Sequence, residues 1–120
     1  MTEVEKEIQK YRIVWVIKGT QILHREDGPA VEWNDGRKDW WLNGMCHRED
    51  GPATVWPDGA KKWWLDGKLH RADGPAIVYA DGHAEWWLDG ILFKTKEAWF
   101  EALTEEQKPK ALYSEYFIGR

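Results

Sequence analysis

The stretch His24-Arg25-Glu26-Asp27-Gly28-Pro29-Ala30 returns unchanged at His47–Ala53 and once more at His70–Ala76, where Ala72 stands in place of the glutamate; each copy begins 23 residues after the last. Two further signatures keep the same step. One is Trp40-Trp41-Leu42-Asn43-Gly44, repeated as Trp63-Trp64-Leu65-Asp66-Gly67 and Trp86-Trp87-Leu88-Asp89-Gly90. The other is Asn34-Asp35-Gly36, then Pro57-Asp58-Gly59 and Ala80-Asp81-Gly82. One unit repeated three times without insertion cannot bury an apolar face alone, so neighbouring units must stack and share a core.

Within each unit the first apolar segment is Ala30–Trp33, then Ala53–Trp56 and Ala76–Tyr79. An Asp-Gly pair follows, which predicts a type I′ hairpin turn because Asp tolerates positive φ and Gly adopts it freely. The second strand is Arg37–Leu42, repeated as Ala60–Leu65 and His83–Leu88. After another Asn-Gly or Asp-Gly the chain returns through Met45-Cys46, Lys68-Leu69 or Ile91-Leu92. In the wide loop Asp27 is expected to bond its following backbone, Gly28 to adopt a conformation other residues avoid, and Pro29 to fix the re-entry angle. Period-two alternation places Val31 and Trp33 on one face with Thr54, Trp56, Ile77 and Tyr79. Trp40 and Leu42 share a face and Trp41 points opposite, so each unit puts an aromatic on both sides of the sheet. One tryptophan set is expected to line the core.

The flanks are less regular. Residues 2–9 read as a short amphipathic helical turn or a frayed lead-in. Tyr11, Ile13, Trp15 and Ile17 alternate with Arg12, Val14, Val16 and Lys18, which predicts a strand. Trp15–Gly19 reads as a worn copy of the Trp-Trp-Leu-Asp-Gly half, as befits the end of an array. Residues 94–120 read as helix. Thr95 is a candidate N-cap with Glu97 in the first turn, and Ala98, Trp99, Ala102 and Leu103 form one apolar stripe. Thr104 with Gln107 forms a second capping box, and Pro109 opens a last helix carrying Leu112, Tyr113, Tyr116 and Phe117.

The fold class is therefore mainly β: a curved antiparallel meander or solenoid of about seven main strands, closed by a C-terminal α-helical cap. The 120 residues form one domain, with a lead-in and degenerate first unit at 1–23, three units at 24–93 and the cap at 94–120. No apolar run is long enough to cross a bilayer. The single cysteine, Cys46, excludes an internal disulfide and suits a cytoplasmic setting. Residues 24–93 carry eight basic and thirteen acidic side chains, the source of the chain's net −4. That acidity counts against generic DNA or RNA binding and against anionic membranes.

These residues and their spacing resemble the MORN and MORN-like repeats, over roughly residues 15–92. The shared pattern is Trp-x-Asp/Asn-Gly-x-x-His, then Gly-x-Ala, then Asp-Gly. The common MORN unit has Tyr-x-Gly-x-Trp and Gly-x-Gly where this chain has Trp-Trp-Leu and Arg-x-Asp-Gly-Pro-Ala. The chain is more similar to a variant found in large phages and giant viruses and in an antitoxin-like branch. The resemblance implies stacked β-hairpins in an elongated sheet, serving as a protein- or lipid-binding scaffold without catalysis.

Candidate site residues fall into ladders. Equivalent residues of successive units lie about 10 Å apart across two strands, whereas zinc ligands sit about 2.0–2.3 Å from the metal. His24, His47 and His70 therefore cannot share an ion, nor can Asp27, Asp50 and Asp73 pair as catalytic carboxylates. No metal, cofactor or catalytic residue is expected. Cys46 occupies the position of Leu23 and Leu69 and reads as a small core residue. Arg25, Arg48 and Arg71, with the three histidines, either pin their own loops or contact the phosphate of a nucleotide stacked on tryptophan. The leading expectation is a non-enzymatic module that occludes a partner protein, such as a toxin or host-defence factor, through Trp41, Trp64 and Trp87. The alternatives are a small-ligand sponge for a nucleotide signal, or a structural scaffold. Free sheet edges allow a homodimer.

Overall fold

A computed structural model describes residues 2–117. It is mainly β, with β1 (Val4–Ile8), β2 (Arg12–Ile17), β3 (Val31–Trp33), β4 (Lys38–Asp39), β5 (Trp41–Leu42), β6 (Met45–Cys46), β7 (Thr54–Val55) and β8 (Lys61–Lys62). There follow β9 (Trp64–Leu65), β10 (Lys68–Leu69), β11 (Ile77–Val78), β12 (Ala84–Leu88) and β13 (Ile91–Phe93), then two short helices, α1 (Lys96–Ala102) and α2 (Gln107–Leu112). Nine strands form one antiparallel sheet in the order β1-β2-β3-β4-β7-β8-β11-β12-β13, while β5-β6 and β9-β10 are separate two-stranded ribbons. The main sheet exceeds the expected seven strands by β1 and β13, and the second segment of the first two units breaks at Trp40 and Trp63 to give the ribbons. Both indole residues instead send their backbone N–H to the next loop, at the carbonyls of Ala53 and Ala76.

The lead-in is neither helical nor frayed. Residues 4–8 form β1, paired with β2 from Val4↔Ile17 to Ile8↔Ile13. Its charges serve the pairing. Lys6 Nζ lies 5.9 Å from the Trp15 ring centroid, Glu5 accepts the Gly19 N–H, and Glu3 pairs with Lys18. Trp15 takes the bonds that Trp40 and Trp63 take: its N–H donates to Ala30 O, and its carbonyl accepts the N–H of His24 as Trp40 and Trp63 accept those of His47 and His70.

The two turns of each unit exchange the expected roles. Asn43, Asp66 and Asp89 have φ near +50°, each followed by a glycine at +78° to +81°. This is the type I′ pattern, and it belongs to the Trp-Trp-Leu-Asn/Asp-Gly turn. At the Asp-Gly turn only the glycine has positive φ. There Gly36 N–H donates to Trp33 O and Trp33 N–H to Arg37 O, which describes a three-residue loop with a bulge. The Asp35, Asp58 and Asp81 carboxylates accept the N–H two residues on, the Asx geometry that favours aspartate there.

Two apolar clusters anchor the ends. Val14, Val16 and Val31 are buried at one, with Leu23, Trp33 and Trp41 packed against them. Leu88, Trp99, Leu103 and Ala111 are buried at the other. Between them the fully buried apolar side chains are small, Ala30, Ala53, Pro75 and Ala76, with Ile77 nearly so. Tryptophans of the units border the core rather than fill it: Trp33, Trp41 and Trp86 pack against the two clusters, every Trp of the three units is half-buried, and Trp99 alone is fully enclosed. The sheet is open, and the molecule measures 46 × 30 × 21 Å with a radius of gyration of 15.9 Å. A compact chain of this length would have a radius of about 13–14 Å. Among the described residues no helix is long and apolar enough to cross a membrane.

The C-terminal segment is two short helices, as its two capping signals predict, with α2 beginning at Gln107 rather than at Pro109. Thr95 Oγ1 accepts the Ala98 N–H, and Thr104 and Gln107 cap each other reciprocally at 2.9 and 3.1 Å. Only Trp99 and Leu103 of the predicted stripe are buried; Ala98 and Ala102 face outward. α2 ends at Leu112, so Tyr116 and Phe117 lie in turns that fold back on α1 and β12. Residues 118–120, included in the predicted cap, lie outside the described residues.

Candidate functional site

The two faces of the sheet carry different chemistry. On the loop face each arginine is spoken for by its own loop. Arg25 Nε donates to Asp27 Oδ1 and its Nη1 to Pro29 O, both at 3.1 Å. Arg48 repeats this on Asp50 and Pro52, and Arg71 on Asp73 and Pro75. Each guanidinium lies over an indole of the preceding segment: Arg25 over Trp15, Arg48 over Trp40 and Arg71 over Trp63, at 3.8–3.9 Å from the centroid. Stacking of this kind contributes about 0.5–2 kcal/mol, more as the pair is desolvated.

This explains the loop glycine, and corrects its expected role. Gly28, Gly51 and Gly74 do not have positive φ. A Cβ there would instead meet the Arg25, Arg48 or Arg71 Cζ at 3.0, 3.1 or 2.8 Å. Asp27 likewise serves the arginine rather than its own backbone. The histidines hold the following turn. Nδ1 of His24, His47 and His70 accepts the N–H of Asn43, Asp66 and Asp89 at 2.9–3.0 Å. An acceptor at Nδ1 places the neutral ring's proton on Nε2. In His24 and His47 that atom faces Glu26 and Glu49 at 3.4 and 3.6 Å. The His24 contact is off-line for a hydrogen bond, so its buried Nε2 has no aligned partner.

Two clefts lie between successive loops. The first, about 630 Å³, is lined by Arg25–Gly28, Trp40, Leu42 and His47–Asp50. The second, about 510 Å³, has the corresponding residues 23 positions on, from Arg48 to Asp73, with Gln107 and Lys110 of α2 added at its edge. At the third position the C-terminal segment fills the space. Trp99 sits on Trp86 with centroids 4.8 Å apart, and its Nε1 donates to Arg71 O at 3.0 Å. Tyr116 lies edge-on to Trp86 and within 5.5 Å of the Arg71 guanidinium. Ala72 packs against this cluster, which accounts for the one departure in the repeated phrase: a glutamate there would lose solvation against an apolar cap.

The opposite face is an aromatic ladder with charged rungs. Trp33 Nε1 donates to Asp39 Oδ2, and Arg37 both pairs with Asp39 and stacks between Trp33 and Trp56 at 5.4 and 5.0 Å. In the middle unit Lys62 lies over Trp56 at 5.4 Å. In the last, Glu85 accepts from both Tyr79 Oη and Trp87 Nε1, and the bond raises the pKa of the Tyr79 phenol. A shallow cleft of about 390 Å³ opens on this face among Trp41, Trp56, Trp64 and Cys46. Trp41 Nε1 is buried with no hydrogen-bond partner among the described residues. Cys46 Sγ is 3.8 Å from Thr54 Oγ1, and burial pushes the thiol up to about 11. A thiol that stays protonated at neutral pH is a weak nucleophile.

Of the residues singled out from sequence, Trp41, Trp64 and Trp87 share this second face, while the His and Arg ladders lie on the other. The charged rung Asp39, Lys62 and Glu85 escaped sequence reasoning. Its signal was present as the residue two before the second tryptophan of each pair, but its identity changes from unit to unit. No group of three His, Cys, Asp or Glu side chains able to hold a metal occurs among the described residues. Compared with family models, curated proteins and solved structures, the chain finds no match.

Proposed function

We propose that this chain is a non-enzymatic protein-binding module whose partner face is the aromatic ladder centred on Trp41, Trp64 and Trp87. The observation that carries this reading is that each of the three rings is half-buried, and that Trp41 and Trp64 border the shallow cleft of about 390 Å³ on this face. Rigid, partly exposed tryptophans backed by a sheet are the side chains that anchor interfaces. The −5 charge of residues 24–93 favours a basic partner surface. By its resemblance to antitoxin-like MORN variants, the partner is a toxin or a host-defence factor, and the action is occlusion.

A nucleotide sponge has less support, because a phosphate would have to compete with Asp27, Asp50 or Asp73 and a proline carbonyl for each arginine. Self-association through edge strands β1 and β13 is a further element of the proposal, supported by the exposure of Ile8, Ile91 and Leu92. The test is affinity capture from the native host with the wild type and the Trp64→Ala/Trp87→Ala double variant, the eluate being assayed for proteins and small molecules. The reading expects a stoichiometric protein lost with the variant. A partner retained by the variant, or a nucleotide eluted alone, overturns it.

A further inference from the structure

The loop face contains its own comparison. Three equivalent positions exist between or beyond the loops, and only the last is filled by the chain itself. There the occupant brings an apolar ring and an N–H donor that reaches the carbonyl of the loop arginine. The second position is partly served, with Gln107 and Lys110 of α2 at its edge. The first is lined, among the described residues, by the loops and Trp40 and Leu42, with none from the C-terminal segment. Among the described residues no donor of this chain reaches Arg25 O, the equivalent of the Arg71 carbonyl that Trp99 engages.

The charges of the first cleft also differ from those of the filled one. Arg25 is matched by Asp27 and Arg48 by Asp50, which leaves Glu26 and Glu49 without a lysine or arginine partner among the described residues. Both face histidines rather than arginine or lysine. The filled position has Ala72 where they stand. The substitution therefore follows the cap: Ala72, which also borders the second cleft, packs against the chain's own cap, while the first cleft keeps a carboxylate on both of its loops. We propose that the first cleft docks a short cationic peptide segment of a partner protein, with an aromatic N–H donor directed at Arg25 O and flanking Lys or Arg side chains at Glu26 and Glu49. This is separate from the tryptophan ladder of the opposite face and stands whether or not that face binds a partner.

The experiment is a nuclear magnetic resonance titration of the full chain with an end-blocked Lys-Lys-Trp-Lys-Lys peptide. Saturable shifts confined to Arg25–Gly28, Trp40, Leu42 and His47–Asp50 are expected. The Glu-Glu-Trp-Glu-Glu peptide should bind at least about tenfold more weakly. Glu26→Gln/Glu49→Gln should lose about fivefold in affinity for the cationic peptide, as expected for two exposed charge pairs, with an unchanged melting temperature. Replacing the tryptophan by 1-methyltryptophan, which lacks the N–H, should weaken binding by about threefold to tenfold. Three results would overturn the proposal: shifts spread over the acidic surface without saturation, shifts confined to Trp41, Trp64 and Trp87, or equal binding of the acidic peptide.

Discussion

Replacing Gly51 by alanine isolates the forces that close each loop. Gly51 has an ordinary φ, so alanine brings no backbone strain there. By restricting the unfolded chain it should even stabilise by about 0.4–1 kcal/mol. Its Cβ, however, would sit 3.1 Å from Arg48 Cζ and 3.3 Å from Nε and Nη1. The guanidinium cannot retreat, because the Trp40 ring lies 3.9 Å away and Asp50 and Pro52 O hold its nitrogens at 3.1 Å. Loosening one cation–π stack and two partly exposed charged hydrogen bonds costs about 1.5–2.5 kcal/mol. The net loss is about 1 kcal/mol, or about 3–5 °C in melting temperature for a chain of this size. The assay is thermal and urea unfolding of the wild type, Gly51→Ala, Arg48→Ala and the double variant. With Arg48 removed, Gly51→Ala should become neutral or stabilising. Gly59→Ala, at φ +97° with open space around it, is the control, costing about 1–2 kcal/mol with or without Arg48. Equal destabilisation by Gly51→Ala in both backgrounds would refute the steric account.

Trp99→Ala should destabilise by about 3–5 kcal/mol and release the C-terminal segment to limited proteolysis, whereas Trp99→Phe should lose only about 0.5–1.5 kcal/mol for the bond to Arg71 O. Ala72→Glu, which places a carboxylate against that cap, should cost about 1–3 kcal/mol, while Glu49→Ala at the equivalent exposed site should change stability by less than about 0.5 kcal/mol; both are read from urea midpoints. His47→Ala should raise the amide exchange rate at Asp66 selectively, since it removes the acceptor of that N–H. Because burial raises the Cys46 thiol from 9.0 to about 11, the unfolded chain loses that proton first. Stability should be complete below pH 9 and decline as pH rises towards 11, and Cys46→Ala should show a shallower decline over the same window.

Much of the fold was legible because the repeated phrase carries period-two alternation between glycine turns. Thr95 and the Thr104–Gln107 box predicted both helix starts, since capping depends on contacts three residues apart. The errors share one cause. Residues 4–8 have too few apolar positions to declare a strand, and only pairing with β2 makes them one. The type I′ pattern was placed at the wrong Asp-Gly because both turns contain the same dipeptide, and what separates them is the loop length between flanking strands. Gly28 looked like a φ requirement and is a space requirement, a distinction that needs the position of a side chain three residues away. The tryptophans suggested a buried core because they are large. In an open sheet Trp33, Trp40, Trp56 and Trp63 lie under arginine rather than under a second layer, which leaves them half-exposed.

The arginine stack gives the chain a direction. Trp15, Trp40 and Trp63 are each covered by a guanidinium that comes from the segment after them, never from the one before. Every unit thus leaves one indole uncovered at its forward end, and adding another unit covers that ring while exposing a new one. Such a pile has no natural length. It stops where a ring that cannot be followed replaces the guanidinium, and Trp99 on Trp86 is that stop. An additional 23-residue unit spliced before Arg71 is accordingly expected to lengthen the molecule while keeping the Trp99–Trp86 contact, an outcome that small-angle scattering would read.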